Sequence, residues 1–520
     1  MSVSLLLDMA VSSDPDRTAV VCDDVRWTAA RLAGLADGGG ARIAASGCRS
    51  VAYIGTGGPM LPLLIFAAAR AGVPFTPLNY RLGGAALLEL LGRLDAPLLV
   101  CDTEYLDAVG DFGGPTVVSD DFVGRAVRGG AVETPGEDEI AVVLFTSGTT
   151  SAPKAVELTH TNLVSYITGT VEFASAAPGD AALISVPPYH IAGVSAVLSN
   201  LYAGRKLVYL PRFDPARWLS LVAGERITSA TVVPTMLDRI VTELERTGAD
   251  LSSLRTLAYG GAKVALPLVR KALELMPEVG FVNAYGLTET SSTIAVLDPD
   301  DHREAHAATD PDVAKRLASV GKPVPGIELQ IRDELGAVLP AGETGELFVR
   351  GPQVSGRYTG IGSVLDADGW FPTRDVASLD AEGYLFIGGR SDDTIIRGGE
   401  NIAPAEIEDV LVEHDAVREV AVVGVEDAQW GQIIVAVVVP AGTVRPDPAD
   451  LREFVRARLR GSRTPDRIVF RDELPVTPTG KILRRSLVSE IQQAEVRRAD
   501  SPQPDSRGSD HAAQPTARSS

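Results

Sequence analysis

Ile140-Ala-Val-Val-Leu-Phe-Thr-Ser-Gly-Thr-Thr-Ser-Ala-Pro-Lys154 is an apolar run followed by a loop of small hydroxylated residues that closes on a lysine. The run reads as a buried strand. The loop brings backbone N–H groups, several hydroxyls and one ammonium together, a combination that suits a polyphosphate. It is not a Walker A loop, because Lys154 follows Pro153 and no Gly-Lys-Ser/Thr is present. Taken alone, such a turn after a strand is most often a solvated connection, and the rest of the chain decides.

Outward from this stretch, helical patterns alternate with short apolar runs. Residues 61–72 read as a helix stopped by glycine, and residues 74–78 and 97–101 as strands. Further strands are expected at 140–145, 181–186, 206–210, 229–233, 256–259 and 280–283. The alternation predicts an α/β fold: a large N-terminal domain of helix-covered sheets over residues 1–390, with a β-rich part at 325–390. A change of pattern at 391–393 marks a linker. Residues 394–493 then read as a small α+β domain, with a helix at 404–413, strands at 419–425 and 432–440, a helix at 448–460 and a final basic segment. Residues 494–520 are polar and rich in Pro and Ser and are expected to be a disordered tail.

The 520 residues carry 48 Lys and Arg against 68 Asp and Glu, a net charge of −20. That balance argues against nucleic acid or an anionic membrane surface as a general partner. Cys22, Cys48 and Cys101 have no metal or redox spacing and suit a reduced, cytoplasmic protein. The N-terminus lacks a basic segment of the signal-peptide type, and no apolar run is long enough for a membrane span. Oligomeric state, monomer or dimer, is left open.

Seven further segments follow the loop in order. They are Gly260-Gly-Ala262, Tyr285-Gly-Leu-Thr-Glu289, Gly345-Glu-Leu-Phe-Val-Arg-Gly351, Trp370-Phe-Pro-Thr-Arg-Asp375, Gly389-Arg-Ser-Asp-Asp393, Gly398-Gly-Glu-Asn-Ile402 and Pro475-Val-Thr-Pro-Thr-Gly-Lys-Ile482. Together with the loop they resemble the adenylate-forming superfamily, over about residues 10–490. The Gly-Gly-Glu-Asn-Ile form and Pro187-Pro-Tyr-His-Ile-Ala-Gly193 look most like its acyl-CoA synthetase branch.

The resemblance implies an ATP-dependent ligase that converts a carboxylic acid to acyl-AMP and then passes the acyl group to CoA. Joining two anions demands cations and oriented donors. It implies Lys481 as the adenylation lysine, and Thr146, Ser147, Gly148, Thr149, Thr150 and Lys154 around the β- and γ-phosphates. Glu289 and Thr149 would reach Mg²⁺. Tyr285, with Gly260, Gly261, Ala262, Asn283, Gly286 and Thr288, would surround the adenine end, and Asp375 and Arg390 the ribose. A buried core tyrosine is the alternative for Tyr285, and a loop salt bridge the alternative for Asp375 and Arg390. His190 would line the acyl pocket, although a lone histidine is commonly a satisfied core or surface residue. Gly398 and Gly399 would approach CoA and Asp392 would be the hinge. Trp430 is a CoA contact or a core aromatic with equal ease, and Arg81 is a weaker CoA-phosphate candidate.

Ser151 and Ala155 stand where such loops usually carry glycine, and Arg374 where a glycine usually precedes the ribose aspartate. The apolar segments 192–193, 232–236, 258 and 283–284 lean toward a medium- or long-chain aliphatic acid. An amino-acid substrate is disfavoured, since no carboxylate in 187–193 would hold its ammonium. A regulator that has lost catalysis is disfavoured because Lys481, Glu289, Asp375 and Arg390 are all present. Transfer to an acyl carrier protein stays the alternative to CoA.

Overall fold

A computed structural model of the chain describes residues 1–124, 136, 139–146, 153–398, 400–427, 429–459, 461–477 and 481–499. The chain divides into two compact units: Met1–Thr394 with Val476–Lys481, and Ile395–Pro475 with the residues from Ile482 on.

The larger unit is built on two mostly parallel sheets. One runs Ser292–Leu297, Gly280–Leu287, Thr256–Gly260, Ser229–Val232, Ala181–Ile184, Lys206–Tyr209, Thr18–Cys22, with Lys322–Pro323 and Val25–Thr28 at its edges. From Gly280–Leu287 to Thr18–Cys22 every pairing is parallel, and antiparallel strands are confined to the flanks. The other sheet runs Arg357–Tyr358, Lys154–Thr159, Ile140–Thr146, Phe75–Leu78, Ser50–Ile54, Pro97–Cys101, Thr116–Val118, with Gly362–Ser363 at its edge. Its centre is again parallel.

Parallel strands are covered on both faces, which explains their near-continuous apolar composition. The helices Ser4–Ser13, Ala29–Ser46, Met60–Ala71, His160–Thr170 and Ile191–Ala203 supply side chains to one core shared by both sheets. Met60–Ala71 is buried along nearly its whole length and ends on Gly72 in the left-handed region. A second core forms on the first sheet with Pro215–Gly224, Pro234–Thr247 and Leu266–Leu275 around the fully buried Trp218. The four antiparallel strands Glu328–Arg332, Thr344–Arg350, Phe371–Leu379 and Leu385–Arg390 form the β-rich part.

In the smaller unit, Val417–Asp427 and Gly431–Pro440 form a long antiparallel pair joined by Arg467–Phe470 and Ile395–Arg397. The helices Pro404–Leu411 and Pro448–Arg456 pack on one face of this sheet. The basic segment expected at the end of the chain is a helix, Arg484–Ala499, which includes residues 494–499 of the expected tail, and residues 500–520 lie outside the described residues. Leu487 and Ile491 are buried on the other face of the sheet, and the following Ala-Glu-Val-Arg-Arg run consists mainly of good helix formers.

Two glycines show how tightly strands approach near their C-terminal ends. A Cβ on Gly260 would lie 2.2 Å from the Ala284 carbonyl oxygen, and one on Gly286 would lie 1.7 Å from that of Ser292. Gly260→Ala is therefore expected to cost about 1–3 kcal/mol and to lower the melting temperature. Gly224→Ala, where a Cβ meets nothing within 4 Å, should be neutral or slightly stabilising. Equal melting of the two variants in a thermal scan would contradict the close-approach argument.

Candidate functional site

The antiparallel turn back from the first sheet sets one wall. Tyr285, Gly286 and Leu287 close the strand Gly280–Leu287, and Thr288–Thr290 form a single 3₁₀ turn that presents Glu289. Thr290 Oγ1 locks this turn by accepting from the Leu287 N–H at 3.0 Å and donating to the Ser292 carbonyl at 2.9 Å. The Glu289 carbonyl accepts the Ser355 N–H at 2.8 Å. The Glu289 carboxylate takes the Tyr358 hydroxyl on Oε1 at 2.9 Å. Tyr358 lies next to Lys154–Thr159 in its sheet, and Lys154 Nζ stands 5.5 Å from its ring centre. Tyr358 thus joins the lysine that closes the loop to the turn carboxylate.

Tyr358 was not foreseen. It sits in a two-residue strand with no motif of its own, and only tertiary contact reveals it. Burial, with the neighbouring Glu289, pushes its hydroxyl well above the ordinary tyrosine range, so it stays a donor.

Thr146 pairs with Lys154 across the strand ladder, and its hydroxyl donates to the Lys154 carbonyl at 3.4 Å. Ser147, Gly148, Thr149, Thr150 and Ser151 between them lie outside the described residues, as does Gly399. Ala155, one of the departures from the expected glycines, is an ordinary buried strand residue paired with Phe145.

Asp375 is the centre of the second wall. Strand register sets it opposite Arg390, whose Nε reaches its Oδ1 at 3.0 Å while Nη1 donates to the Thr373 carbonyl at 2.7 Å. The Tyr285 hydroxyl donates to the other carboxylate oxygen. The ring expected to face adenine is therefore tied by its tip to the aspartate expected to hold the ribose. Burial raises the Asp375 carboxyl, opposed by Arg390, the Tyr285 hydrogen bond and the charge of Lys481. Lys481, expected in the lid, groups with the larger unit in the segment Val476–Lys481, and its N–H donates to Thr477 Oγ1 at 3.0 Å.

A bulge lies beside Asp375. Glu346 pairs with Val376 and Phe348 with Pro372, so Thr373, Arg374 and Asp375 stand opposite the single residue Leu347. Arg374 takes the left-handed conformation, φ 64°, in which an arginine is strained. Thr373 and Asp375 are buried and Arg374 is exposed, in step with the alternation that runs from Phe371 to Ala377.

Gly260, Gly261 and Ala262 follow directly at the end of the neighbouring strand, with Gly261 at φ 83°. The Asn283 amide donates to the Ser319 carbonyl at 3.1 Å. Asp392 is exposed in the 3₁₀ turn Ser391–Asp393, and the Ser391 hydroxyl donates to the Arg374 carbonyl.

His190 precedes the helix Ile191–Ala203 and lies 4.6 Å from the Tyr189 ring, with Nε2 buried and unbonded among the described residues. Burial first, and then the charge of Arg81, lower its pKa to about 4. Arg81 itself lines a cavity of about 500 Å³ with Tyr80, Tyr105, Arg212, Phe213, Thr235, Met236 and Arg239. Sequence reading missed Arg212 and Arg239, which come from distant segments. In the smaller unit, Gly398 (φ 59°) donates its N–H to the Trp430 carbonyl at 2.8 Å. Trp430 is 43% exposed with the Arg397 guanidinium 4.8 Å from its ring, an arrangement closer to a contact surface than to a core.

The donor set fits Mg²⁺. No group of three or more His, Cys, Asp or Glu able to hold a metal occurs among the described residues, and Glu289 offers one carboxylate with Oε2 unbonded among them. A hard cation that draws its other ligands from phosphate and water needs no more. Among the described residues no helix is long and apolar enough to cross a membrane.

A model of the AMP-binding enzyme family matches residues 7–359, and a model of the AMP-binding enzyme C-terminal domain matches residues 406–481. A feruloyl-CoA synthase from an Amycolatopsis species is 37% identical over 467 residues, 87% of this chain and 91% of that protein. An indoleacetate–CoA ligase from Aromatoleum aromaticum is 32% identical over 506 residues, 93% and 96% of the two chains. A fatty acid–[acyl-carrier-protein] ligase from Streptomyces coeruleorubidus is 32% identical over 453 residues, 84% and 86%. The solved o-succinylbenzoate CoA synthetase of Bacillus subtilis, in complex with its acyl-adenylate, superposes with a TM-score of 0.80 at 29% identity, covering 93% of this chain and 97% of that one.

A histidine held near pKa 4 is neutral from pH 5 to 8. The pH–rate profile between those limits should therefore lack an inflection near 6.5 that His190→Ala removes. Finding such an inflection would mean that His190 titrates in the working range.

Proposed function

The chain belongs to the AMP-binding enzyme family, and from that premise we propose that it is an AMP-forming acid–thiol ligase acting through an acyl-adenylate. In the first step a carboxylate oxygen of the acid attacks the α-phosphorus of ATP and the bond to pyrophosphate breaks. In the second, the CoA sulfur attacks the acyl carbon, AMP leaves with the bonding pair and the thiol proton is lost to solvent.

The observation that carries this reading is the buried Asp375, held between Arg390 and Tyr285 and acted on by the charge of Lys481. A carboxylate fixed in this way is a strong acceptor for a ribose diol. A lysine near it is placed to screen the approach of carboxylate to α-phosphate, the costly part of the reaction. Lys154, with Thr146 and the residues 147–150, is assigned to the β- and γ-phosphates, and Tyr285 with residues 260–262, Asn283, Gly286 and Thr288 to the adenosine. Glu289, together with Thr149, would hold Mg²⁺, which when bound neutralises phosphate charge. Neutral His190, with one nitrogen open, borders the acyl group and accepts or donates a hydrogen bond without adding charge. For CoA the assigned contacts are Arg81 in the larger unit and Gly398, Gly399 and Trp430 in the smaller, with Asp392 as the hinge residue.

Relatives named for ferulate and indoleacetate support an aromatic or arylalkanoic acid as substrate in place of the aliphatic chain expected from sequence. The Streptomyces relative named for fatty acid and acyl carrier protein supports a second reading, an aliphatic acid with a carrier protein as acceptor. Both acids suit an apolar lining and differ in shape.

Pyrophosphate release measured against aromatic and aliphatic acids, with CoA, a carrier protein or neither, is expected to be strongest for an aromatic acid and to give thioester with CoA. Absence of acid-dependent pyrophosphate release across the panel would refute the ligase reading. Lys481→Ala should lower acyl-adenylate formation by about 10²–10³-fold and largely spare thioester formation from supplied acyl-adenylate. Equal loss in both half-reactions would remove Lys481 from the first step.

A further inference from the structure

The cavity of about 500 Å³ lies beyond the C-terminal ends of parallel strands from both sheets of the larger unit, and it shares no lining residue with the groups assigned to ATP. Arg81 follows the strand Phe75–Leu78, and Tyr105 follows Pro97–Cys101. Arg212 and Phe213 follow Lys206–Tyr209, and Arg239 lies in the helix Pro234–Thr247 that follows Ser229–Val232. Crevices outside the carboxyl ends of the strands are where open α/β sheets hold their ligands. A volume of this size suits a molecule as large as a nucleotide, well beyond a single phosphate.

Its lining carries one sign of charge. Three guanidiniums and no carboxylate line it, in a protein whose net charge is −20. All three arginines are exposed, so an anion from solvent can reach them. Arg81 and Arg239 form no ion pair among the described residues. Their guanidiniums rest against aromatic rings, 5.6 Å from the centre of Tyr80 and 5.0 Å from that of Phe213. Arg212 is paired with Glu104, but its side chain is 71% exposed, and so open a pair holds its cation weakly. Accessible guanidiniums beside flat aromatic faces suit a ligand that carries both a phosphate and a ring. The cavity also adjoins the acyl side of the site. Tyr80 packs edge-on against Tyr189 with ring centres 5.6 Å apart, and Tyr189 is the neighbour of His190. Met236, another lining residue, accepts the Ser185 hydroxyl on its sulfur at 4.0 Å.

We propose that this cavity takes the 3′-phosphoadenosine end of CoA, and that Arg212 and Arg239, with Arg81, make the chain select CoA over thiols that lack the 3′-phosphate. The proposal rests on the acid–thiol ligase reading above and decides between its two acceptors. A phosphopantetheine arm on a carrier protein brings no phosphoadenosine to these arginines, whereas CoA brings a doubly charged phosphomonoester and a purine. A free nucleoside 3′,5′-bisphosphate carries the same chemistry, and the experiment separates it from CoA.

Thioester formation is measured with the acid that gives the strongest pyrophosphate release, using CoA, dephospho-CoA or a phosphopantetheinylated carrier protein as acceptor. The proteins are the wild type, Arg212→Gln, Arg239→Gln, Arg239→Lys and the double glutamine variant. For the wild type, KM for CoA should lie about 10-fold below that for dephospho-CoA. Each glutamine variant should raise KM for CoA about 3- to 10-fold, with KM for dephospho-CoA moving less than about 2-fold. Arg239→Lys should recover part of the loss. Adenosine 3′,5′-bisphosphate should compete with CoA on the wild type and less well on the double variant. Equal KM values for CoA and dephospho-CoA, or an equal loss for both in the variants, would overturn the proposal and leave the ligase reading intact. A bisphosphate that slows pyrophosphate release without competing with CoA would overturn it in favour of a free nucleotide. Thioester formed on the carrier protein alone would overturn the CoA assignment, and absence of acid-dependent pyrophosphate release would overturn the ligase reading as well.

Discussion

Asp375 bonded to Arg390 and Tyr285 is the contact from which the rest of the site takes its position. An aspartate this buried is costly unless its charge is matched by more than one donor. Here the donors come from two separate sheets: Tyr285 from the end of the nine-stranded sheet and Arg390 from the strand opposite Asp375. The aspartate therefore fastens the β-rich part to the parallel sheet at one place. Tyr285, fixed by its hydroxyl, has little freedom to turn, so its ring is oriented before any ligand arrives. Preorganisation of this kind lowers the ordering cost that binding would otherwise meet.

The same logic governs the phosphate end. Tyr358 is held by a strand pairing to Val156 and by the Thr359 N–H to the Ala155 carbonyl, both belonging to the strand that begins at Lys154. Its hydroxyl then fixes Glu289. Lysine and carboxylate are thus referred to one rigid aromatic side chain, and the separation between them is set by strand geometry. Polar groups that share one partner tend to act as a unit, which is why their contributions are poorly described as separate terms.

Much of this could be read in the sequence, for identifiable reasons. Elements with strong periodicity and glycine or proline punctuation, such as Met60–Ala71 and Ile140–Thr146, were legible to within a residue or two. The glycines at 260 and 286 were visible as motif letters, and the structure supplies their cause, a carbonyl oxygen within van der Waals distance of any Cβ. What was illegible depends on register and tertiary contact. Tyr358 lies far in sequence from both groups it touches. The bulge beside Asp375 depends on how its strand pairs with Thr344–Arg350, which no local pattern announces. The helix Arg484–Ala499 was hidden by its high charge, since among its residues with described side chains Leu487 and Ile491 are the ones that pack deeply.

An acidic protein that handles ATP must overcome its own field. A net charge of −20 repels a polyphosphate at long range. At physiological ionic strength that repulsion decays over about 8 Å, so only nearby charges decide binding. Cations are brought to particular groups by strand pairing and not by a basic run in sequence: Arg390 to Asp375, and Lys154 to the ring of Tyr358. Arg81, Arg212 and Arg239 gather likewise around a single cavity although they lie far apart along the chain. A fold that concentrates positive charge in this way admits a multiply charged anion at one place and discourages it elsewhere. Composition alone could not reveal this, because net charge averages over the very asymmetry on which the site depends.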